Sequence, residues 1–550
     1  MCIRDRVDAT GKFGIKSIET NAYSLFGSLE LDVSPYVGVG AGSSKFASIE
    51  GGAKLKLGTK LELIRNKKLS EIFSADMTGS LYLKAKALAF INVDKKWDIA
   101  KVSIYPDFGA ELNSVEVASY DDMVVMGRDY MAEESVFTAN DKVSLMGIDS
   151  IETSTFKTNV YPYAEPQLVK LNDGRELLVW LDNDPSRSDI NCSVLKYSIN
   201  NGTAWSQPAD IYNNGAADFA PSVAVTENGA AIVWQKANSA LSDSASLNEM
   251  AREIDLYYSE FDGAGWSAPT KLTDNNSVYE FAPDIASDGT NITVAWVENS
   301  ENDCFALSGT NSIYTKTNGD NWANTTKAAT GLGCVTSAGV TYMDGAAAVA
   351  YTVDTDGNVE TTGDIELYEY YGGAVNRITE DEVIDYGLTM GDGGYSWIHD
   401  NQLWERNAEG VSLIKIPIMP LYLGNAHIMS NGTDRAIVWE QTEGFTSDLY
   451  AMYYDSNEDT WGEPVRLTED NKKIRESSGY MTSDGAIRMA FGQAEVDEGA
   501  EDIYGKCNLM VSSITEKCDI EVVSADCDYT EYVAGEEASI VATAVSYTHL

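Results

Sequence analysis

Few stretches of this 550-residue chain combine residue types and spacings that could do chemistry. One is Asp354-Thr355-Asp356-Gly357-Asn358-Val359-Glu360, which sets oxygen ligands at alternate positions, as a calcium loop does. Its glycine falls two positions too early for an EF-hand, so a solvated turn competes with a calcium site at Asp354, Asp356 and Asn358. His399 and His427 stand in no recognisable nucleophile context, which leaves Ser/His/Asp catalysis unsupported. Cys192, Cys304, Cys334, Cys507, Cys518 and Cys527 include no C-x-x-C pair, which argues against zinc. Cys304 with Cys334 and Cys518 with Cys527 are conceivable disulfides, and six reduced thiols fit equally well. Carboxylates are so abundant that two near each other carry no weight for glycoside hydrolysis. No organic cofactor is indicated, and calcium stays open.

The other chemistry on offer is recognition. Three long polar segments, 182–191, 236–253 and 298–311, are rich in acids, including Asp182, Asp184, Glu253 and Glu298. Aromatic residues recur nearby in the chain: Tyr161, Tyr163, Phe219, Tyr279 and Phe281. Together these nine residues form a candidate ligand site of acids beside rings, suited to neutral sugars, cationic peptides or a bridging calcium. Each ring taken singly is better read as packing inward. The chain holds 39 basic against 85 acidic residues, a net charge of −46. That excess argues against nucleic acid, which needs a basic face. No apolar run reaches the ~20 residues of a membrane helix.

The elements that must position these residues are short strands. From 219 to 274, four runs rich in β-branched and aromatic residues are separated by Gly, Asn and Asp turns, as in an antiparallel meander. The unit recurs. Its second strand ends at Trp180, Trp234, Trp296, Tyr351, Trp397, Trp439 and Phe491, at intervals of 54, 62, 55, 46, 42 and 52 residues. A β-unit of about fifty residues, repeated, is the signature of a propeller blade. These rings follow apolar pairs and read as packing between blades rather than as sugar platforms. A further landmark opens the third strand at Asp255-Leu256-Tyr257, Asp448-Leu449-Tyr450 and Asp502-Ile503-Tyr504, with Asp364 to Tyr368 a looser copy. Its aspartates read as turn-formers that accept local backbone N–H bonds. Seven units are expected, with six or eight open. The segment 154–158 should supply the outer strand of the last blade and so close the ring.

These landmarks resemble the sialidase-like and TolB-like β-propellers over about 150–515. Ser259-Glu260-Phe261-Asp262-Gly263-Ala264-Gly265-Trp266 is similar to a worn Asp-box turn, and Tyr454 to Trp461 is a looser copy. A sialidase of that kind would need an arginine triad, a Tyr–Glu nucleophile pair, an acid, and a Phe/Tyr-Arg-Ile-Pro motif on the first strand. The first-strand segments instead read Pro166-Gln167-Leu168, Pro221-Ser222-Val223 and Pro283-Asp284-Ile285, and arginine is sparse.

Outside the repeats, residues 7–118 alternate apolar and polar positions, as at Leu29, Leu31 and Val33, or Leu55, Leu57, Leu61 and Leu63. This is an N-terminal β-sheet domain of amphipathic strands, with an outer-membrane barrel the sharper and less favoured reading. Residues 119–149 read as a connector, with a weak helical signal at 123–134. Residues 516–544 resemble the first strands of a CARDB (bacterial cell-adhesion-related) Ig-like module, cut short. Residues 1–6 and 545–550 read as translated sequencing adapter, which makes the chain a fragment. The expected architecture is all-β: an about seven-bladed propeller between an N-terminal sheet domain and a truncated Ig-like β-sandwich. The expected function is non-catalytic binding or adhesion, with an extracellular glycan or protein ligand, in an exported cell-surface protein. A diverged glycoside hydrolase and a structural spacer in contact only with neighbouring domains are the alternatives.

Overall fold

The computed structural model describes residues 148–516 apart from the segments 243–246, 274–277, 302–309, 357–363, 401, 416–422, 444–445, 456–459, 469–471 and 497–503, and the backbone of strands within 2–104 and 520–546. The central part is a seven-bladed β-propeller, each blade a four-stranded antiparallel sheet with a small extra strand in blade six. In blade two the strands are Asp218–Thr226, Gly229–Ala237, Ile254–Phe261 and Thr270–Lys271, in that spatial order. Every residue of its second strand is buried, because blades pack on both of its faces, whereas the outer strand is short and largely solvated.

The core explains the repeat. Trp180, Trp234, Trp296, Tyr351, Trp397, Trp439 and Phe491 are all buried. In five blades the ring lies directly opposite a ring of the third strand: Trp234 opposite Tyr257, Trp296 opposite Tyr314, Tyr351 opposite Tyr368, Trp397 opposite Trp404 and Trp439 opposite Tyr450. The last four pairs stack at 5.6–6.3 Å between centroids with interplanar angles of 12–26°. Such cross-strand aromatic pairs add to burial by contact between rings.

Asp255 and Asp448 are ion-pair partners rather than turn-formers, whereas Asp364 does accept a local backbone N–H, that of Asp356. Asp255 pairs with Lys271 of its blade's outer strand at 2.7 Å, and Asp448 with Arg466 at 2.6 Å. In blade four, Arg377 reaches Glu366 in the same way at 3.2 Å. A threonine two residues after each base completes the tie: Thr273, Thr379 and Thr468 accept the N–H of Leu256, Leu367 and Leu449. The repeated acid therefore anchors the outer strand to the third. Asp502 and Ile503 lie outside the described residues.

The ring is closed by the upstream strand Ile148–Val160, which pairs antiparallel with Tyr504–Glu516 and is the outer strand of blade seven. Closure removes the open edge that strand would otherwise present. Phe156 packs edge-on against both Trp180 and Trp205, with centroids 5.3 Å apart in each case.

Upstream, Cys2–Glu19, Ala22–Gly38, Ala47–Leu63, Phe73–Ala87 and Ile91–Ile104 form one antiparallel meander in sequence order. Its register places Leu31 opposite Leu57, Leu57 opposite Met77 and Met77 opposite Val102, so alternating positions line up across the sheet. Downstream, Ile520–Cys527 pairs with Ile540–Ser546. The helical signal at 123–134 lies outside the described residues. Among the described residues no helix is long and apolar enough to cross a membrane.

Candidate functional site

The seven first strands run side by side around a central channel of about 590 Å³. Each enters from the face that carries the links between blades and the long insertions. Near its entry the strand bulges, with register shifts at 219/222, 281/284, 335/337, 386/389, 424/427 and 475/477. Left-handed backbone marks this level: Glu165 (φ 43°), Ala220 (44°), Ala282 (52°), Gly387 (65°), Asn425 (44°) and Glu476 (39°). Only Gly387 and Asn425 are residue types that favour such a conformation, so sequence patterning could not reveal the ring of bulges.

Below the bulges, side chains of one first strand bind the next. Ser222 Oγ donates to Asp284 Oδ1 at 2.6 Å, and the Val340 N–H donates to Asp284 Oδ2 at 2.8 Å. Thr341 Oγ1 donates to Gly391 O, His427 Nε2 and Ser477 Oγ share a bond of 3.0 Å, and the Leu168 N–H donates to Ser478 Oγ at 2.8 Å. These bonds form a belt that fastens the channel wall. His427 and Ser477 belong to it, which accounts for their proximity without a catalytic role.

The acid-and-aromatic candidate divides in two. Tyr161, Phe219, Tyr279 and Phe281 are buried. The insertion of blade two folds down over the last three: Leu241, Met250 and Ala251 join Phe219, Tyr279 and Phe281 in one apolar cluster, while Tyr161 packs in another. The insertions also clasp each other, since Asn191 Nδ2 donates to Leu241 O at 3.0 Å and Asn191 Oδ1 accepts the Leu241 N–H at 2.8 Å. Asp182 is buried and bound by Lys157 of the closing strand at 2.9 Å. Asp184 caps its own turn through Ser186 and pairs with Arg187 at 3.3 Å. Accessible surface remains at Tyr163, Asp184, Glu253 and Glu298. None of the nine lines the channel. Tyr163, two residues ahead of the lining Glu165, carries the Arg475 guanidinium 4.9 Å over its ring.

The mouth has two unlike walls. Glu165, Asn425, His427 and Glu476 line one side, from blades six, seven and one. Ala220, Pro221 and Pro283 line the other, from blades two and three. Asn425 is steadied by donating to Glu440 Oε2 at 3.0 Å, and Glu440 is held by Lys473 at 2.6 Å. Burial opposes ionisation of Glu440, but the Lys473 ammonium and hydrogen bonds from Ser447 and Asn425 win and keep its carboxyl below the usual range.

Other titratable groups are structural ties. Tyr480 donates to Glu176 Oε1 at 2.7 Å, and Arg488 Nε donates to the same oxygen at 2.7 Å, joining blades seven and one. Burial, aided by Glu176, holds the Tyr480 phenol well above its ordinary pKa, the wrong direction for a nucleophile. Tyr395 and Glu369 repeat the pairing at 3.0 Å with Arg406. Among the described residues neither pair is accompanied by a converging arginine triad. Asp385, raised by burial to about 6 against the pull of Thr379 and His399, lies 3.0 Å from His399 Nδ1.

Asp354, Asp356 and Asp364 bring carboxylate oxygens within 4.8 Å of one another, an oxygen-only set of the kind calcium takes. Asp364 also accepts the Asp356 N–H at 3.0 Å, so the same contacts close a turn. Asn358 lies outside the described residues. Cys192, Cys334 and Cys507 are not in disulfides, while the side chains of Cys304, Cys518 and Cys527 lie outside the description. The Asp-box-like turn is structural: Asp262 accepts the N–H groups of Ala264 and Gly265, both at 2.9 Å.

No protein-family model matches the chain, and no curated protein matches it. Solved structures do. A Trypanosoma rangeli sialidase in complex with the inhibitor DANA is similar over 68% of this chain and 59% of its own, at 12% identity and a TM-score of 0.40. A Pyrococcus horikoshii acylaminoacyl peptidase is similar over 64% and 50%, at 10% identity and 0.38. A leech intramolecular trans-sialidase is similar over 92% and 94%, at 10% identity and 0.32. The chain thus matches less than two thirds of the first two, and the likeness is one of fold.

Proposed function

We propose that this chain is the non-catalytic, ligand-binding propeller of an exported multi-domain surface protein, and that it takes a neutral glycan or a protein segment at the channel mouth on the insertion face. The observation that carries this reading is the pairing of unlike walls: Glu165, Asn425 and Glu476 face Ala220, Pro221 and Pro283 across an opening of small-ligand size. Hydrogen-bonding groups on one side and an apolar surface on the other suit a ligand with a polar edge and a hydrophobic face, as a sugar ring has. The carboxylates oppose anions by Coulomb repulsion. Such a site suits adhesion within an array that includes the sheet at 2–104 and an Ig-like module begun at 520–546.

A glycan array probed with the chain and with E476Q and Y163A variants tests it. Both variants should lose most binding to the glycans retained by the parent. Tight binding to heparin that neither variant alters would overturn the reading. A second reading, a diverged glycoside hydrolase, has the raised Tyr480 phenol of the Tyr480–Glu176 pair against it, and turnover of a fluorogenic glycoside abolished by Y480F would establish it all the same.

A further inference from the structure

One position recurs just ahead of the bulge in the first strand. Asp218, Glu280 and Asp385 occupy it in blades two, three and five, opposite Lys236, Glu298 and His399 of the second strand. Lys236 Nζ lies 3.0 Å from Asp218 Oδ1, and His399 answers Asp385 at the same distance. In blade three, acid faces acid. The third strand of blade two adds another: Asp255 is fully buried and within hydrogen-bonding reach of Glu280, itself only 2% exposed. Of the nearby cations, Lys271 holds the far oxygen of the pair, Asp255 Oδ2, at 2.7 Å, and Lys327 lies beside Glu298. Tyr314 also bonds to Glu298, Thr273 bonds to Glu280, and Gln235 Nε2 donates to the Glu280 backbone oxygen at 2.8 Å and to the Tyr279 hydroxyl at 3.4 Å. Asp255 Oδ1 and Glu280 Oε2 are sealed from solvent and find no donor among the described residues. Two carboxylates enclosed together cannot both ionise, and a proton between them is the donor they lack.

We infer that Asp255 and Glu280 share one proton, and that this proton latches the insertion of blade two to the seam between blades two and three. The link to the insertion is Asn238. Its side-chain amide donates to Asp255 Oδ2, its Oδ1 accepts from the Tyr257 hydroxyl at 2.9 Å, and its N–H closes the base of the insertion on Glu253 O at 2.7 Å. Burial lifts the Glu280 carboxyl against the opposing Thr273 bond, and the charges of Asp255 and Glu298 add to the rise, which brings it to about 8. A carboxyl raised in this way supports the fold while protonated, and that support is lost as pH rises through the raised value. Glu280 then becomes an anion beside Asp255 and Glu298, the seam is pushed apart, and Asn238 loses its anchor. The insertion packs on Phe219, Tyr279 and Phe281, just ahead of the channel-lining Ala220, Pro221 and Pro283, so the latch would regulate ligand access if the ligand reading above holds.

Trypsin reports the latch without any ligand, so the result is independent of that reading. Arg252 is exposed at the base of the insertion and is the cleavage site to follow. With rates normalised to a free peptide, cleavage after Arg252 should rise about tenfold between pH 7 and pH 9.5, the rise in ionised fraction for a group titrating near 8. In E280Q it should stay low at both pH values. E298K, which restores the basic partner found in blade two, should hold the insertion closed at pH 9.5. Equal alkaline opening in the parent and E280Q overturns the latch. Should E280Q fail to fold by circular dichroism, opening unchanged in E298K overturns it instead.

Discussion

Replacing Lys157 by methionine removes the cation that faces Asp182 across the closing seam. The Asp182 side chain is 2% exposed and the Lys157 side chain 35%, at 2.9 Å. Asp182 Oδ1 otherwise accepts only the N–H of Asn183, at 2.9 Å. Two unit charges at that separation attract by about 6 kcal/mol at an effective dielectric of about 20. Water reaching the lysine reduces this, whereas stranding a buried carboxylate costs about 3–5 kcal/mol. A loss of about 2–4 kcal/mol is therefore expected for K157M. Methionine keeps most of the aliphatic stem, so the effect isolates the charge. Urea unfolding followed by tryptophan fluorescence measures it, with Trp180 and Trp205 both in contact with Phe156 of the closing strand. D182N in the K157M background leaves a neutral amide in place of the stranded anion and should recover at least about 1.5 kcal/mol as coupling between contacting residues. A K157M variant within about 0.5 kcal/mol of the parent, or a double variant no more stable than K157M, refutes a charge lock at the closure.

Two tryptophans at the same place in the repeat should respond unequally to phenylalanine. Trp234 Nε1 donates to Asp218 at 3.0 Å, whereas Trp439 Nε1 has no partner, so W234F should cost about 1–2 kcal/mol more than W439F in urea unfolding. At Gly387 a Cβ would lie 2.9 Å from Ile398 Cδ1 on backbone with φ +65°, so G387A should destabilise by about 2–4 kcal/mol, and adding I398V should restore the share due to the clash, both read as thermal midpoints.

The architecture was legible because every blade solves the same packing problem. A ring at the end of each second strand must fill the space between two sheets, so Trp180 to Phe491 recur at blade spacing and announce themselves. The closing strand was legible for a related reason, since Tyr161 onward shares the register of an ordinary link between blades. Partners in charge were not. Nothing near Asp182 in the sequence says that Lys157 will meet it, because that contact exists only once the ring has closed. Asp255 looked like a turn residue because its partner Lys271 arrives on a strand fifteen residues later. The candidate site suffered most from this. Acidic insertions beside aromatics suggested an open rim, but the insertion of blade two uses its apolar residues to cover Phe219 and Phe281. What remains open is the channel mouth, whose left-handed Glu165 and Glu476 carry no signature in residue type.

The distribution of charge bears directly on the kind of partner. A net charge of −46 could be spread evenly, but several of the described bases are drawn inward. Lys236, Lys271, Arg377, Lys473 and Arg488 each bind a buried or nearly buried carboxylate between strands or between blades. Each such tie neutralises an interior acid and removes a cation from the surface. The exterior is left more acidic than composition alone implies, and the same holds at the mouth, where Arg475 lies over Tyr163 while Glu165 and Glu476 line the opening. A polyanion approaching this face meets repulsion that grows as salt is lowered, and a neutral ligand meets none. Affinity for a neutral glycan should therefore be nearly flat in ionic strength, whereas a cationic peptide should bind more weakly as salt is added.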